Sequence, residues 1–270
     1  MPVNHYENFP VASLILPRRL RRSVERIYAF ARQADDFADE GERADAERLS
    51  DLERFRGELR RIESGATPET QLFRDLAETI RDHGLPLQLF HDLLDAFAQD
   101  VSKKRYRDFG EVMDYCRRSA NPIGRLLLHL FGAATPRNLA LSDGICSSLQ
   151  LINFLQDVAI DYRKGRIYIP QEDLARYRIG EEQIARSDST GMWRPLMLAQ
   201  VERARKLLQA GAPLVLALPG RVGLEIRMVV LGGERILKKI HESGGDVFHH
   251  RPVLDARDWA YMLWRALLRR

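Results

Sequence analysis

Asp35 and Asp39 stand four residues apart in the run Arg32-Gln33-Ala34-Asp35-Asp36-Phe37-Ala38-Asp39-Glu40. On a helix that spacing sets two carboxylates on one face, about 6 Å apart in rise. Like charges so placed repel, and the negative end of the helix dipole adds to the cost. A hard divalent cation would relieve both. Mg²⁺ takes a few carboxylates, water and ligand phosphates in preference to an all-protein cage. The plainer reading is a solvated acidic helix end paired with Arg32 and Arg43.

A second set sharpens the choice. Asn153, Asp157 and Asp161 fall at i, i+4 and i+8, and Gln150 lies one turn earlier on nearly the same stripe. The opposite face carries Leu151, Ile152, Leu155 and Val158, so the polar stripe is expected to be at least partly buried. Unpaired buried carboxylates are costly. Such a stripe needs a metal, a basic partner or raised pKa values. Two acidic stripes roughly 120 residues apart suit two helices facing across a cavity. Each could hold Mg²⁺ against one diphosphate and make it a good leaving group. An internal salt-bridge network with Arg32 or Arg166 is the structural alternative.

The elements that would position these residues are helical almost throughout. Apolar spacing and Pro/Gly punctuation predict helices over 18–40, 44–63, 68–83, 86–101, 108–118 and 122–133. In the third of these Pro68 sits at an early helical position. One long helix is expected from Thr135, as N-cap, to about Asp161. Residues 164–170 read as a loop bounded by Gly165 and Pro170. Helical pattern resumes over 171–177, 181–186, 192–210, 221–242 and 255–268. No strand pair, repeat or linker divides the chain. The expectation is one all-α domain over 1–270, with about ten helices.

Composition bounds the function. Lys plus Arg is 42 against 38 for Asp plus Glu, a net charge of +4. That mild excess calls for no nucleic acid but fits an anionic ligand or an anionic membrane surface. Two cysteines, Cys116 and Cys146, exclude a disulfide framework or a Cys-rich zinc site, and both read as buried thiols. No apolar run approaches the ~20 residues of a membrane span. No signal peptide or lipidation box is evident, so the expected compartment is cytoplasmic, with peripheral membrane contact open.

At the acidic stripes the chain resembles the squalene/phytoene synthase family. The resemblance runs from about residue 5 to Arg251. It rests on Tyr28-x3-Arg32-x2-Asp35-x3-Asp39 and on Gln150-x2-Asn153-x3-Asp157-x3-Asp161, followed by Gly165-Arg166-x-Tyr168-x-Pro170. It implies an isoprenoid synthase fold with helices around a central apolar cavity and a prenyl diphosphate substrate. By that resemblance Asp35, Asp39, Asp157 and Asp161 are catalytic. Together with Asn153 they would hold Mg²⁺. Tyr28, Arg32, Tyr115, Gln150, Asn153 and Arg166 would contact substrate. Guanidinium forks suit phosphate oxygens, and aromatic faces suit carbocations.

Residues 5–13 and 119–125 resemble one branch in particular, the hydroxysqualene synthases of bacterial hopanoid pathways. Members of that branch take presqualene diphosphate and release hydroxysqualene and diphosphate, with water quenching the rearranged cation. Other enzymes of the squalene and hopanoid pathway are then compatible partners. Condensing members commonly carry a lysine where this chain has Glu7, and many have an aromatic residue near Gly232-Gly233. Both departures favour a single, already coupled substrate. A condensing synthase making presqualene diphosphate, squalene or phytoene is the runner-up. A chain-elongating prenyltransferase or a terpene cyclase would use Asp35-Asp36-x2-Asp39, but Asp157-x3-Asp161 does not match its second motif. A non-catalytic prenyl-lipid carrier or membrane scaffold is the alternative of another class.

Other features read as structural. His249-His250 with His241 fits a surface turn, and Lys103-Lys104-Arg105 a solvated turn. Ser13 and Ser119 have no adjacent base. Residues 255–270 mix Trp259, Tyr261, Met262, Trp264 and Leu267 with arginines. They read as a core helix with a basic tip in preference to an interfacial one.

Overall fold

The structure is a computed structural model and describes residues 16–41 and 43–268. Residues 5–13, Glu7 among them, and Arg269 and Arg270 lie outside the described residues, as does Ser13. Fourteen α-helices form among those described. In chain order α1 is Arg18–Asp39, α2 Asp45–Glu63, α3 Gln71–His83, α4 Leu87–Ser102, α5 Phe109–Ser119, α6 Asn121–Leu130 and α7 Pro136–Gln156. There follow α8 Val158–Arg163, α9 Gln171–Arg176, α10 Glu181–Ala185, α11 Trp193–Gly211, α12 Leu214–Ala217, α13 Gly220–Glu242 and α14 Ala256–Leu268. The one β contact among the described residues is an isolated parallel bridge between Arg105 and Ile167.

Helices α3, α5 and α7 begin where a side chain satisfies one of their first N–H groups. Thr70, Asp108 and Thr135 accept from the backbone N–H of Phe73, Glu111 and Asn138. Thr70 therefore starts α3, and Pro68 falls before the helix instead of inside it. Gly84 ends α3 in the left-handed region at φ 59°, where a side chain would be strained. The predicted long helix over 135–161 is not continuous. It breaks at Asp157 (φ −106°, ψ 13°), which separates α7 from α8. The Asp157 and Asp161 N–H groups still bond to the carbonyls of Asn153 and Asp157, so the polar stripe turns at Asp157 without being lost. Helix α12, four residues between Pro213 and Pro219, is too short for periodicity to reveal.

Two apolar cores form. Helices α1 to α4 close around Phe30, Phe55, Phe73 and Phe90, with Phe30 stacked on Phe55, and Phe73 edge to face with both, at 4.7 Å and 87° from Phe55. The second core gathers α5, α7, α11 and α13 with the 164–170 loop. Helix α7 runs through its centre. It buries serines as well as apolar groups, and each finds a partner. Ser147 donates to Asn121 (2.9 Å) and Ser148 to the Ala204 carbonyl (2.7 Å). Helix α11 crosses α7 so closely that a Cβ at Gly211 would lie 2.5 Å from the Leu141 carbonyl oxygen. That crossing admits only glycine.

The segment Lys103-Lys104-Arg105 is not a solvated turn. Lys103 pairs with Glu111 (2.8 Å), and Lys104 donates to the Asp100 carbonyl (2.7 Å). Arg105 pairs with Glu181 (2.7 Å) and donates to the Gly165 carbonyl (2.6 Å). The segment straps the 164–170 loop to the end of α4.

Candidate active site

Between the two cores lies a cavity of about 510 Å³. Its walls are mostly apolar, with Ile27, Leu127, Ile145, Ile152, Leu214 and Val229 contributed by five helices. Tyr28, Arg32, Asp35, Gln150 and Asn153 also line it. Cys146 belongs to this wall and is only half-buried, unlike Cys116, so the expectation of two buried thiols holds for one. Ser119, another lining residue, buries a hydroxyl with no hydrogen-bond partner. Gly233 lines the cavity too, and a Cβ there would press on Leu208 at 3.0 Å and on Ile152 and Leu149 at 3.3 Å.

The last turn of α1 and the α8–loop junction bring the charges together. Asp39 Oδ1 accepts from Arg166 at 2.6 Å and Oδ2 from Lys164 at 3.1 Å. The Arg166 backbone N–H closes back onto the Asp161 carbonyl at 2.8 Å. Arg32 is shared among Asp35 (3.3 Å), Asp36 (2.7 Å) and Glu40 (2.8 Å). Arg43, the other expected partner of this helix end, pairs instead with Asp51 and Glu47.

These neighbours split the carboxylates. Burial, then the Asp39 charge, pushes Asp35 up to about 7, against the pull of Arg32. Burial likewise pushes Asp161 up to about 7; Arg166 opposes this, while Asp157 and Asp39 add to it. Burial also acts on Asp39, but Arg166 and Lys164 outweigh it and hold its carboxyl below the ordinary value. Asp157 is met by Arg251, with Nε at 2.5 Å and Nη2 at 3.2 Å.

Tyr115 does not lie on the cavity wall where it was expected. Its hydroxyl donates to Asp100 Oδ2 at 2.6 Å, deep in the second core. Tyr168 donates to the other Asp100 oxygen at 2.9 Å and stacks on Phe154 at 3.7 Å. Arg166 Nη1 stands 3.9 Å from Asp100. Asp100 thus links the two tyrosines to the arginine that holds Asp39, and sequence reasoning missed it. Burial raises it to about 6, with the Tyr115 hydroxyl and Arg166 opposing. A signal was there: Leu93, Phe97 and Asp100 follow i, i+4, i+7, which puts a carboxylate in a core position of α4.

The donor set suits a hard cation. Asp35 and Asp161 are carboxylates whose charge the protein leaves poorly balanced, and all the candidate ligands are oxygen donors. Among the described residues no three acidic, His or Cys side chains gather tightly enough to cage an ion by themselves. That suits Mg²⁺, which completes its shell with water and phosphate oxygens.

The squalene/phytoene synthase family profile matches residues 3–258. The chain belongs to the squalene/phytoene synthase family. Among members of the family, it is 34% identical over 251 residues to a hydroxysqualene synthase from Zymomonas mobilis, covering 90% of this chain and 82% of that one. It is 36% identical over 253 residues to a hydroxysqualene synthase from Rhodopseudomonas palustris, covering 92% and 84%. A solved squalene synthase HpnC from Alicyclobacillus acidocaldarius superposes with a TM-score of 0.82 at 38% identity, over 89% of this chain and 90% of that one. A dehydrosqualene synthase in complex with ligand superposes with a TM-score of 0.85 at 21% identity, over 95% and 89%, and speaks for the fold alone. Family membership makes the chain an isoprenoid synthase with the all-α fold of its relatives.

Proposed function

We propose that this family member is a hydroxysqualene synthase, acting on presqualene diphosphate with Mg²⁺. The observation that carries the reading is the cavity: about 510 Å³, largely apolar, with Arg32, Asp35, Gln150 and Asn153 on its wall and Asp39, Asp161 and Arg166 close by. It suits a long hydrocarbon with one anionic head. The names of the hydroxysqualene synthase relatives support the branch.

In this reading the C–O bond to diphosphate breaks and the leaving group takes the electron pair. The carbocation rearranges, a water oxygen forms the new C–O bond, and that water loses a proton. Arg32 and Arg166 bind diphosphate oxygens as planar forks. The face of Tyr28 stands by the cation, and the apolar walls keep other water away. Asp35, Asp39, Asn153, Asp157 and Asp161 would hold Mg²⁺, which neutralises the departing diphosphate. To serve as ligands, Asp39 and Asp157 would have to release Arg166 and Arg251. Tyr115 and Asp100 act from behind, by holding Tyr168 and Arg166.

A head-to-head condensing synthase is the second reading, favoured by 29% identity over 272 residues to a phytoene synthase from Arthrospira platensis. Product analysis separates the two. Presqualene diphosphate with Mg²⁺ in oxygen-labelled water is expected to give labelled hydroxysqualene, undiverted by NADPH. Efficient turnover of farnesyl diphosphate alone, or squalene as the NADPH-dependent product, would overturn the assignment.

A further inference from the structure

Five of the eight large apolar side chains most exposed among the described residues lie on just two helices, α12 and α14. Leu216 is 82% exposed, Leu267 61% and Trp264 60%, with Leu263 and Tyr261 beside them. On α14, Arg257, Tyr261, Trp264 and Leu267 recur at helical spacing on the outward stripe, while Met262 and Ala266 are buried against α13. This helix is therefore only half a core helix; its outer face is apolar and open.

The two helices meet at one end of α13. Asp258 pairs with Arg235, and the Ala266 carbonyl accepts from Arg227 at 2.6 Å, so α14 runs antiparallel to α13. Its C-terminal end thus lies beside the start of α13. Helix α12 packs against that same start, where Gly223 faces the Leu218 carbonyl. Within α12, Leu214 is buried and lines the cavity, while Leu216 points to solvent. Glu225, Ile226 and Val229, from the first half of α13, line the cavity as well. One short stretch of chain is wall on the inside and apolar surface on the outside.

Charge says what covers it. On α12 and α14 the solvent-facing ionic groups are the arginines Arg257 and Arg265. The sole acid on either helix, Asp258, is fully buried and matched by Arg235 and Lys239. The sequence continues with Arg269 and Arg270. Leucine and tryptophan beside arginine, with no exposed acid on either helix and the neighbouring Asp255 paired with Lys239, complement an anionic lipid surface. No helix among the described residues is long and apolar enough to cross a membrane.

We propose that α12 and the outer face of α14 seat this protein on an anionic lipid bilayer, with the apolar cavity wall at Leu214 next to the lipid. The seating itself does not depend on which reaction the cavity hosts. Passage of a hydrocarbon between cavity and bilayer rests on the reading proposed above.

The test is co-sedimentation of the full chain with vesicles of mixed phosphatidylglycerol and phosphatidylcholine, and with phosphatidylcholine alone. The parent is expected to bind the mixed vesicles and to bind the neutral ones at least tenfold more weakly. Leu216→Glu and the double variant W264E/L267E are each expected to lower binding at least tenfold. R257Q/R265Q is expected to abolish the preference for anionic lipid. Thermal midpoints and turnover in detergent are expected to match the parent, since none of these side chains lines the cavity. Binding that survives both acidic variants would overturn the proposal. So would loss of binding only on removal of residues 1–15, or concentration-dependent dimerisation that the same variants abolish. Vesicle binding with farnesyl-type products, or with none, would leave the surface standing and overturn the hydroxysqualene reading alone.

Discussion

Asp258 and Asp35 are both carboxylates held against helices, yet they lie at opposite extremes. Asp258 is fully buried, and burial alone would raise it. Lys239, the Asp255 N–H and Arg235 reverse that and hold it at about 2. Asp35, on the cavity wall, is pushed up by burial and by the Asp39 charge to about 7, and the one arginine that opposes this is shared with two other acids. Asp161 matches Asp35, again at about 7. Burial pushes all three upward; around Asp258 alone do matched charges and an N–H donor reverse it. Where α14 is anchored, every negative charge is matched. At the mouth of the cavity two are left short, and a cationic ligand or the metal ions of a diphosphate complex would complete the balance.

The sharpest way to break this contrast is to remove the unmatched charges. D35N and D161N are each expected to lower diphosphate release at least about a hundredfold, because ligand charge and leaving-group stabilisation go together. Their urea midpoints are expected to equal or exceed that of the parent, since an amide relieves the repulsion. Loss of stability with retained turnover would make these acids structural. The reverse applies at the anchor. D258N is expected to cost about 2 kcal/mol, or roughly 4–8 °C in thermal midpoint, with turnover in detergent unchanged.

R251Q moves one residue from the matched class to the unmatched one. Asp157 loses the guanidinium at 2.5 Å, so the variant is expected to be less stable without Mg²⁺ and to gain more from its addition than the parent. Equal Mg²⁺ stabilisation in both, read by thermal shift, would place Asp157 outside the metal set. D100N is expected to act more mildly, lowering turnover several-fold and weakening diphosphate inhibition, because Arg166 loses a supporting charge at 3.9 Å.

The smallest effect is the pH dependence, and the two classes give it opposite signs. Asp258 has a depressed folded value. Its contribution is complete above the unfolded carboxylate value near 4 and is lost as pH falls through about 2. Asp35 and Asp161 have raised folded values, so the folded state holds extra protons between about 4 and 7. They therefore reduce stability as pH rises through that window. Urea unfolding at pH 5 and pH 8 with EDTA is expected to show this loss in the parent and a shallower one in D35N/D161N. Mg²⁺ at pH 8 is expected to restore part of it.

Much of this was legible in the sequence because helices announce themselves locally. The spacing of Leu20, Val24 and Ile27, and of Asp35 and Asp39, needs only a 3.6-residue period to place each residue on its face. The family resemblance named the two acidic stripes for the same reason: each lies within a dozen residues. What escaped was non-local. Nothing near Asp157 in sequence announces Arg251, and nothing near Tyr115 announces Asp100 as its acceptor. The break at Asp157 escaped because the i+4 hydrogen bonds persist on both sides of it. Helix α12 escaped because it is only four residues long, between two prolines.

The pairing of Asp39 with Lys164 and Arg166 also carries a consequence for synthesis. The partner Lys164 lies 125 residues further along the chain, and Arg251 lies 94 beyond Asp157. A ribosome adds roughly 5–20 residues per second, so Asp39 emerges several seconds before its partners Lys164 and Arg166, with only Arg32 of its own helix to balance the stripe. During that interval the phenylalanine core of α1 to α4 can already close, while Asp39 at the end of α1 still lacks its partners. The N-terminal core can thus assemble on the ribosome, but the mouth of the cavity must wait for nearly the whole chain.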